Sequence, residues 1–325
     1  MAVHNIIESV NLALKEEMKR DDRVIVLGED VGVNGGVFRA TVGLLEEFGD
    51  NRVIDTPLSE NGIVAGALGM AVNGLRPVAE IQFMGFVYYI LNHIICHAAR
   101  LRNRTRGRLT APLVIRAPYG AGIRAPEHHS ESTEALFTQI PGIKVVVPST
   151  PKDTKGLLTS AIRDPDTVIF LEPKRIYRAI KEDIPEEEYT IPLGKARMVK
   201  EGKDITVICW GAMVRVVETV SEEAEKENID IEIIDLRTLS PLDKDTIITS
   251  VEKTGRALVV HEAPKTCGLG AEIVALINEK ALLSLNAPVL RVTGQDIAVP
   301  LAKGEDYYIP SVDRILQGLK KIINF

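Results

Sequence analysis

The chain has 325 residues, of which 45% are hydrophobic, 26% are charged and 5% are aromatic, and its formal net charge is −6. This composition is that of a globular protein with enough length for two domains. The acidic balance gives no reason to expect nucleic acid or an anionic membrane surface as a partner, and no apolar run reaches the ~18 residues that span a bilayer.

The three cysteines, Cys96, Cys209 and Cys267, have no recognisable pairwise spacing. Unpaired cysteines are typical of a reducing compartment. The first residues lack the layout of a secretion signal and contain acidic side chains, which argues against a transit peptide. We therefore expect a cytoplasmic protein.

In chain order, residues 1–22 predict an amphipathic helix, and a series of β-branched runs then predicts strands. The runs are 24–28, 52–58, 76–83, 112–118, 143–149 and 166–173. Helices are predicted near 60–73, 86–100 and 152–163, the first with Ser59 as its N-cap and Gly74 after its end. Such alternation favours parallel strands joined by helical crossovers.

An acidic, proline-bearing stretch at 181–194 indicates a linker, and a second set of strands follows it. These strands are predicted at 204–211, 229–238, 256–263 and 288–294, with a last helix at 311–323. We therefore predict an α/β fold of two parallel-sheet domains, residues 1–190 and 197–325, with the linker at 181–196.

Two motifs resemble ligand-binding sites, but we favour a structural interpretation of each. HIICH (93–97) has the spacing of a helical zinc pair, but Ile94 stands where a zinc protease needs its glutamate, so packed histidines are the better interpretation. GAGIRA (120–125) superficially matches a dinucleotide loop, yet Pro126 and polar residues follow it where a helix should begin. A mobile loop permitted by its glycines fits this segment better.

Two polar segments leave alternatives open. EHHSES (127–132) follows a strand, and its histidines suit either proton transfer or an ordinary surface. Glu60, in DTPLSENG (55–62), starts the predicted helix at 60. Without further information, a Glu60 carboxylate that interacts favourably with the helix dipole is a better interpretation than a catalytic carboxylate.

Long stretches in a fixed order carry a resemblance to a known family. They are GEDVGVNGGVFRAT (28–41), DTPLSENGIVAGALGMAVNGLRPVAEIQF (55–83), PEHHSES (126–132), PGIKVVVPSTPKDTKGLL (141–158), IIDLRTLSPLD (233–243) and VVHEA (259–263). With them, essentially the whole chain resembles the beta subunits of the thiamine-diphosphate-dependent 2-oxo acid dehydrogenases, of the pyruvate and branched-chain types. The resemblance implies a transketolase-like pyrimidine-binding domain followed by a transketolase-like C-terminal domain.

The resemblance also implies roles for individual residues. Glu60 matches the family glutamate that hydrogen-bonds N1′ of the cofactor's aminopyrimidine and so activates the cofactor. Phe86 matches an aromatic residue that packs on this ring, and Leu58 and Gln82 line the same pocket. His129 matches the histidine that assists acylation of the lipoyl group, whereas His128 departs from the family pattern and has no assigned role.

A missing motif implies a partner. Thiamine-diphosphate enzymes hold Mg²⁺ and the diphosphate with a GDG motif, and the nearest fragment in this chain is Gly49-Asp50-Asn51. The resemblance therefore implies a separate alpha subunit that carries GDG, an α2β2 heterotetramer, and activity only when both subunits are present.

Two further sites are implied by position. Relatives hold a monovalent cation, K⁺, at the residues that correspond to Leu113, Ala161, Ile162, Asp164 and Asp166. An ordinary turn capped by two aspartates is an equal alternative, because Asp166 stands where relatives often have asparagine. In the C-terminal domain, Asp296 and the terminal carboxylate of Phe325 correspond to positions that meet the lipoyl acyltransferase core.

The implied activity is oxidative decarboxylation of a 2-oxo acid followed by acyl transfer to lipoamide, with branched-chain acids slightly favoured over pyruvate. The alternatives are one half of a transketolase-like or deoxyxylulose-phosphate-synthase-like enzyme, and a non-catalytic scaffold subunit. Sugar phosphates as the sole substrates would favour the first alternative, and indifference to loss of the Glu60 carboxylate would favour the second.

Overall fold

The structure, a computed structural model, describes residues 2–325. Its strands are β1 (Ala2–Asn5), β2 (Val24–Gly28), β3 (Val53–Asp55), β4 (Arg76–Glu80), β5 (Val114–Tyr119), β6 (Lys144–Val146), β7 (Val168–Pro173), β8 (Lys181–Ile184), β9 (Arg197–Lys200), β10 (Ile205–Cys209), β11 (Ile231–Asp235), β12 (Thr238–Ser240), β13 (Ala257–Pro264) and β14 (Leu290–Gly294). Its helices are α1 (Ile6–Arg20), α2 (Leu44–Phe48), α3 (Glu60–Val72), α4 (Leu91–His93), α5 (Ala99–Arg104), α6 (Glu134–Thr138), α7 (Pro151–Arg163), α8 (Ala212–Glu225), α9 (Lys244–Thr254), α10 (Leu269–Ala281), α11 (Glu305–Tyr308) and α12 (Val312–Ile323).

The first half of the chain is built around a sheet that has seven strands within residues 2–325, in the order β12-β6-β7-β5-β4-β2-β3. All neighbours from β6 to β3 are parallel, and only β12 pairs antiparallel. The residues of β2, β5 and β7 are buried throughout, as expected for strands covered by helices on both faces. The carboxyl ends of these parallel strands meet at one edge, where open α/β sheets place their ligands.

The second half forms its own sheet, which has five strands among the described residues, in the order β14-β13-β10-β11-β9. It is parallel except for β9. The predicted α/β fold with two sheets of mainly parallel strands is therefore confirmed. Strand β12 lies beyond the predicted linker, in the second half of the chain. It pairs with β6 and forms the edge strand of the first sheet, so the two halves are joined by strand pairing.

The prediction of a helix over the first 22 residues is wrong at its start. Residues 2–5 form β1, which pairs antiparallel with β8 inside the stretch predicted as a linker. Helix α1 begins only at Ile6, because Asn5 and Glu8 cap each other's backbone N–H groups, at 3.0 and 2.7 Å. The linker stretch thus also carries a strand, whose partner lies far away in the sequence.

The segment predicted as one helix over 86–100 is irregular. A 3₁₀ helix over Met84–Ile90 leads into α4, a π-helical stretch over Ile94–Ala98 and then α5. His93 and His97 stack with ring centroids 6.1 Å apart, and residues 2–325 contain no group of three or more His, Cys, Asp or Glu side chains that could hold a metal ion. In the part of the chain that the structure describes, no helix has the length and apolar character needed to cross a membrane.

Candidate active site

A pocket of about 490 Å³ opens at the carboxyl edge of the first sheet, between the ends of β2 and β4 and the start of α3. It is lined by Glu29, Leu58, Ser59, Glu60, Asn61, Gln82, Phe83, Phe86, Tyr89 and His129. The residues predicted to bind or activate a cofactor are all among them and come from two segments of the chain, and His129 comes from a third.

Glu60 is the first residue of α3, and its position follows from local sequence. The Ser59 hydroxyl accepts a hydrogen bond from the Gly62 N–H at 3.3 Å and so starts the helix at Glu60. The Glu60 side chain is only 8% exposed, and within residues 2–325 it has no ion pair or side-chain hydrogen bond. Its carboxyl is therefore available to a group that enters the pocket.

Glu29 is a pocket residue that the sequence analysis missed. It follows β2 directly, is 7% exposed, and its Oε1 has no hydrogen-bond partner. Burial, followed by the nearby carboxyls of Glu60 and Asp30, raises the pKa of Glu29, while the Ser59 N–H opposes this shift. An acidic residue at the carboxyl end of a parallel strand was the signal that could have identified it.

An aromatic wall, made of Phe83 and Phe86, forms one side of the pocket, and His129 packs against it. The His129 ring lies 4.0 Å from Phe83 and 5.7 Å from Phe86, centroid to centroid, and both contacts are edge-on. Gly85 lies between the two phenylalanines, and a Cβ there would collide with the carbonyl oxygen of His128. Glycine at this position therefore lets the histidine segment approach the wall.

His129 is arranged to be neutral near pH 7. It ends a 3₁₀ turn over Glu127–His129, and its buried Nδ1 has no partner in the described chain. Burial lowers its pKa, and Coulombic interactions with Lys174 and His128 lower it further, whereas Glu127 opposes this shift. A neutral imidazole can accept a proton. His128 itself is exposed, lies 3.3 Å from Glu127 and does not line the pocket.

The rim of the pocket combines a polar contact with exposed apolar side chains. Gln82 Nε2 donates to Asp30 Oδ2 at 3.3 Å, which ties the end of β4 to the segment after β2. Leu58 is 82% exposed and Tyr89 is 66% exposed. Apolar side chains of this size around a cleft are typical of a surface that another molecule covers.

The residues predicted to hold K⁺ lie away from this pocket, around the amino end of β7. The carboxylate of Asp164 accepts from Lys144 Nζ at 2.7 Å, and that of Asp166 accepts from Arg102 at 2.7 Å. Arg76 donates to the carbonyl oxygens of Ile162 and Asp164 at 2.8 and 3.3 Å. The carbonyls of Leu113 and Ala161 accept backbone hydrogen bonds. The charges of both carboxylates are thus already neutralised by basic side chains. A bound cation would have to use the free lone pairs of the carbonyl oxygens.

Comparison with known proteins agrees with this geometry. Residues 4–180 match the family model "Transketolase, pyrimidine binding domain", and residues 194–315 match "Transketolase, C-terminal domain". A solved structure described as "Split gene transketolase, inactive beta4 tetramer" has a TM-score of 0.80 and 19% sequence identity and covers 98% of each chain, which shows the fold.

Relatives named "Pyruvate dehydrogenase E1 component subunit beta" align along the whole chain. The protein of Acholeplasma laidlawii is 53% identical and covers 99% of this chain and 98% of its own. Those of Bacillus subtilis (strain 168) and Staphylococcus aureus (strain Mu50 / ATCC 700699) are 53% and 50% identical, with both chains covered completely. The chain therefore belongs to the family of 2-oxo acid dehydrogenase E1 beta subunits, as its sequence blocks predicted.

Proposed function

We propose that this chain is the beta subunit of a heteromeric, thiamine-diphosphate-dependent enzyme that oxidatively decarboxylates a 2-oxo acid and transfers the acyl group to lipoamide. The observation that carries the proposal is the buried Glu60 carboxyl, which faces the pocket without an ion-pair partner in the described chain. The names of the full-length relatives support the same activity.

The pocket fits one half of the cofactor. An apolar cleft with aromatic side chains and a carboxyl suits an aminopyrimidine ring, which needs both stacking surface and a hydrogen-bond partner. No lysine or arginine is among the residues that line the pocket, so it offers no cation for a diphosphate. Together with the missing GDG motif, this supports an alpha subunit that holds the diphosphate and Mg²⁺.

Bound thiamine diphosphate would supply a carbon nucleophile that adds to the 2-oxo acid and takes up the electrons left by departing carbon dioxide. The residues of this chain would prepare and protect that chemistry. Glu60 holds a proton at the pyrimidine nitrogen, and Phe86, Leu58 and Gln82 enclose the ring. His129, neutral at its position on the aromatic wall, accepts and returns a proton during acyl transfer.

The partners follow from two surfaces. The exposed Leu58 and Tyr89 at the rim fit burial against the alpha subunit, in an α2β2 assembly. On the second half, Asp296 accepts hydrogen bonds from the Thr266 N–H and hydroxyl at 2.8 and 2.7 Å, and Phe325 at the C-terminus is 80% exposed. These carboxylates are accessible to basic groups of a lipoyl acyltransferase core.

The substrate proposal covers pyruvate and branched-chain 2-oxo acids. The sequence slightly favoured branched-chain acids, whereas the similar relatives are named for pyruvate, and we therefore place pyruvate first. The free cysteines Cys96, Cys209 and Cys267 fit a reducing, cytoplasmic compartment.

The test is reconstitution with an alpha chain that carries GDG, followed by decarboxylation assays on pyruvate and branched-chain 2-oxo acids. Glu60→Gln should lower turnover about a hundredfold to ten-thousandfold, because the amide cannot exchange a proton with the ring. The matched control is Glu46→Gln, since Glu46 is an exposed glutamate in the first turn of α2. Full activity of Glu60→Gln would support the scaffold alternative, and activity without any alpha chain would contradict the proposal.

A further inference from the structure

The segment that carries His129 is held by the other half of the chain. We call residues 120–129, which follow β5 and end in the 3₁₀ turn, the histidine loop. At its start, the Gly120 carbonyl accepts a hydrogen bond from Lys174 Nζ, and the Ala121 N–H donates to Glu262 Oε2 at 3.1 Å. Glu262 lies in β13 of the second sheet, so the contact joins the two halves.

Glu305 makes the central contact. It begins α11 and is 1% exposed, and its Oε1 accepts from the Gly122 N–H at 2.5 Å. Its Oε2 accepts from the Arg124 N–H at 2.8 Å. No ion pair involves this carboxylate in the described chain, so both of its oxygens serve the backbone of the loop.

The loop backbone is shaped to fit these carboxylates. Gly120 has φ +83°, and a Cβ there would lie 2.6 Å from Glu262 Oε2. Gly122 has φ +104°, and a Cβ there would lie 2.6 Å from the Arg175 side chain. Only glycine adopts such a path at low cost and allows so close an approach. The segment interpreted from sequence as a mobile loop is thus held by hydrogen bonds to the buried side chains of Lys174, Glu262 and Glu305.

The other end of the loop meets the pocket. The His128 carbonyl packs against Gly85, and the His129 ring contacts Phe83 at 4.0 Å. Few residues separate Arg124, the last one bound by Glu305, from His129. A change in the path of the loop at Gly122 or Arg124 is therefore transmitted along a short segment to the imidazole.

We propose that Glu305, assisted by Glu262, is a positioning residue that holds the histidine loop so that His129 stays against the aromatic wall. The second half of the chain then contributes to the active site by fixing a side chain of the first half. This inference rests on the proposed role of His129 in acyl transfer.

A purely structural role would not explain the choice of residue. Burying a carboxylate is costly unless it is fully hydrogen-bonded, and a neutral side chain could join two packed domains at lower cost. Two backbone donors aimed at one carboxylate give strong, charge-assisted hydrogen bonds with a fixed geometry. Such a contact sets the position of the loop more narrowly than apolar packing does.

The test uses Glu305→Gln in the enzyme reconstituted with its alpha subunit, thiamine diphosphate and Mg²⁺. The amide keeps one oxygen acceptor but turns an NH₂ group toward a backbone N–H. One of the two hydrogen bonds from the loop backbone is therefore lost. Acylation of a lipoylated domain should fall roughly tenfold to a hundredfold, while decarboxylation with ferricyanide as the electron acceptor stays within about twofold. Asp306→Asn is the matched control, because Asp306 meets Arg124 in a pair with both side chains 60% exposed.

A double substitution shows whether Glu305 acts through His129. If it does, Glu305→Gln combined with His129→Ala should lose no more acylation than His129→Ala alone, since the two residues then serve one function. Glu262→Gln gives the same selective loss in smaller degree, and it replaces Glu305→Gln if the latter does not assemble.

The outcomes separate the inference from the proposed function. Equal loss of both half-reactions in Glu305→Gln, or loss of neither, overturns the inference while His129→Ala still shows its selective defect. If His129→Ala acylates the lipoylated domain at the wild-type rate, the proposed role of His129 fails, and the inference falls with it.

Discussion

Two groups of buried carboxylates lie near the same edge of the first sheet, and the protein treats them differently. Glu80 and Glu172 both bind Arg116, with nitrogen–oxygen distances of 2.8 and 2.6 Å, and the Tyr177 hydroxyl donates to Glu172 at 2.7 Å. Glu29 and Glu60, in the pocket, have no basic partner within the described residues.

The contrast shows which carboxylates maintain the fold and which are reserved for chemistry. An arginine neutralises the first group, so these charges are satisfied before any ligand arrives. The second group leaves two carboxyls close together and poorly solvated, a state that folding alone would not favour. Uncompensated acids of this kind mark a binding or catalytic site.

The largest effect expected from this comparison is on stability. Arg116→Met should lower the free energy of unfolding by about 3–5 kcal/mol, because it leaves Glu80 and Glu172 buried without a cation. Urea unfolding followed by circular dichroism measures this loss.

The matched control for Arg116→Met is Glu29→Gln. It removes a carboxylate from the second group, Glu29 and Glu60, which has no basic partner. This change should leave the free energy of unfolding unchanged or raise it, by up to about 1 kcal/mol at pH 7, since the buried carboxyl is unfavourable when ionised. Similar losses in both variants would mean that the two groups of acids do not differ as we argue.

Sequence alone identified only part of this arrangement. The alternation of strands and helices, the Ser59 cap and the pocket residues Glu60, Phe86 and His129 follow from local patterns and family blocks. Glu29 stood inside a matching block, yet nothing local shows that its carboxyl remains without a cation. That property depends on which side chains the sheet brings near it.

Contacts between distant segments were beyond sequence reasoning for the same physical reason. The N–H of Gly122 meets Glu305, which is 183 residues away, and β1 pairs with β8 across most of the first half. The glycines at 120 and 122 were interpreted as a sign of a mobile loop, whereas they allow the backbone to approach Glu262 and Arg175 closely. Arg116, in an otherwise apolar strand, indicated a buried ion pair. Its sequence neighbours do not identify the partners, Glu80 and Glu172.

A smaller effect is expected at Glu134, another buried acid without an ion-pair partner in the described chain. The indole N–H of Trp210 donates to its Oε1 at 3.2 Å, Oε2 has no partner, and burial raises the pKa of Glu134 to about 7. Trp210 is the only tryptophan of the chain, so its fluorescence reports this carboxyl directly. We expect the emission to titrate near pH 7 and the titration to vanish in Glu134→Gln.

The sign of the stability change at Glu134 follows from the raised pKa. The unfolded carboxyl, with an ordinary value near 4.5, loses its proton before the folded one does. Stability should therefore fall as the pH rises from about 4.5 to about 7, and this slope should be smaller in Glu134→Gln, where buried Asp235, whose pKa burial raises to about 6, still contributes. His261 stacks on Trp210 at 5.1 Å, but burial lowers its pKa to about 4, so it stays neutral in this range. A titration that persists in Glu134→Gln would contradict the assignment.

The smallest expected effect concerns Asp164 and Asp166. Like Glu80 and Glu172, these carboxylates have basic partners, here Lys144 and Arg102. A K⁺ ion here would gain little from these carboxylates and would bind through carbonyl oxygens such as those of Ile162 and Asp164. Replacing tetramethylammonium by K⁺ at equal ionic strength should therefore raise the free energy of unfolding by only about 1 kcal/mol. Asp166→Asn should keep this gain, since it leaves the carbonyls in place. Loss of the gain in Asp166→Asn would show that the carboxylate itself is a ligand, and no gain in the wild type would mean that the arginine and lysine partners already complete the turn.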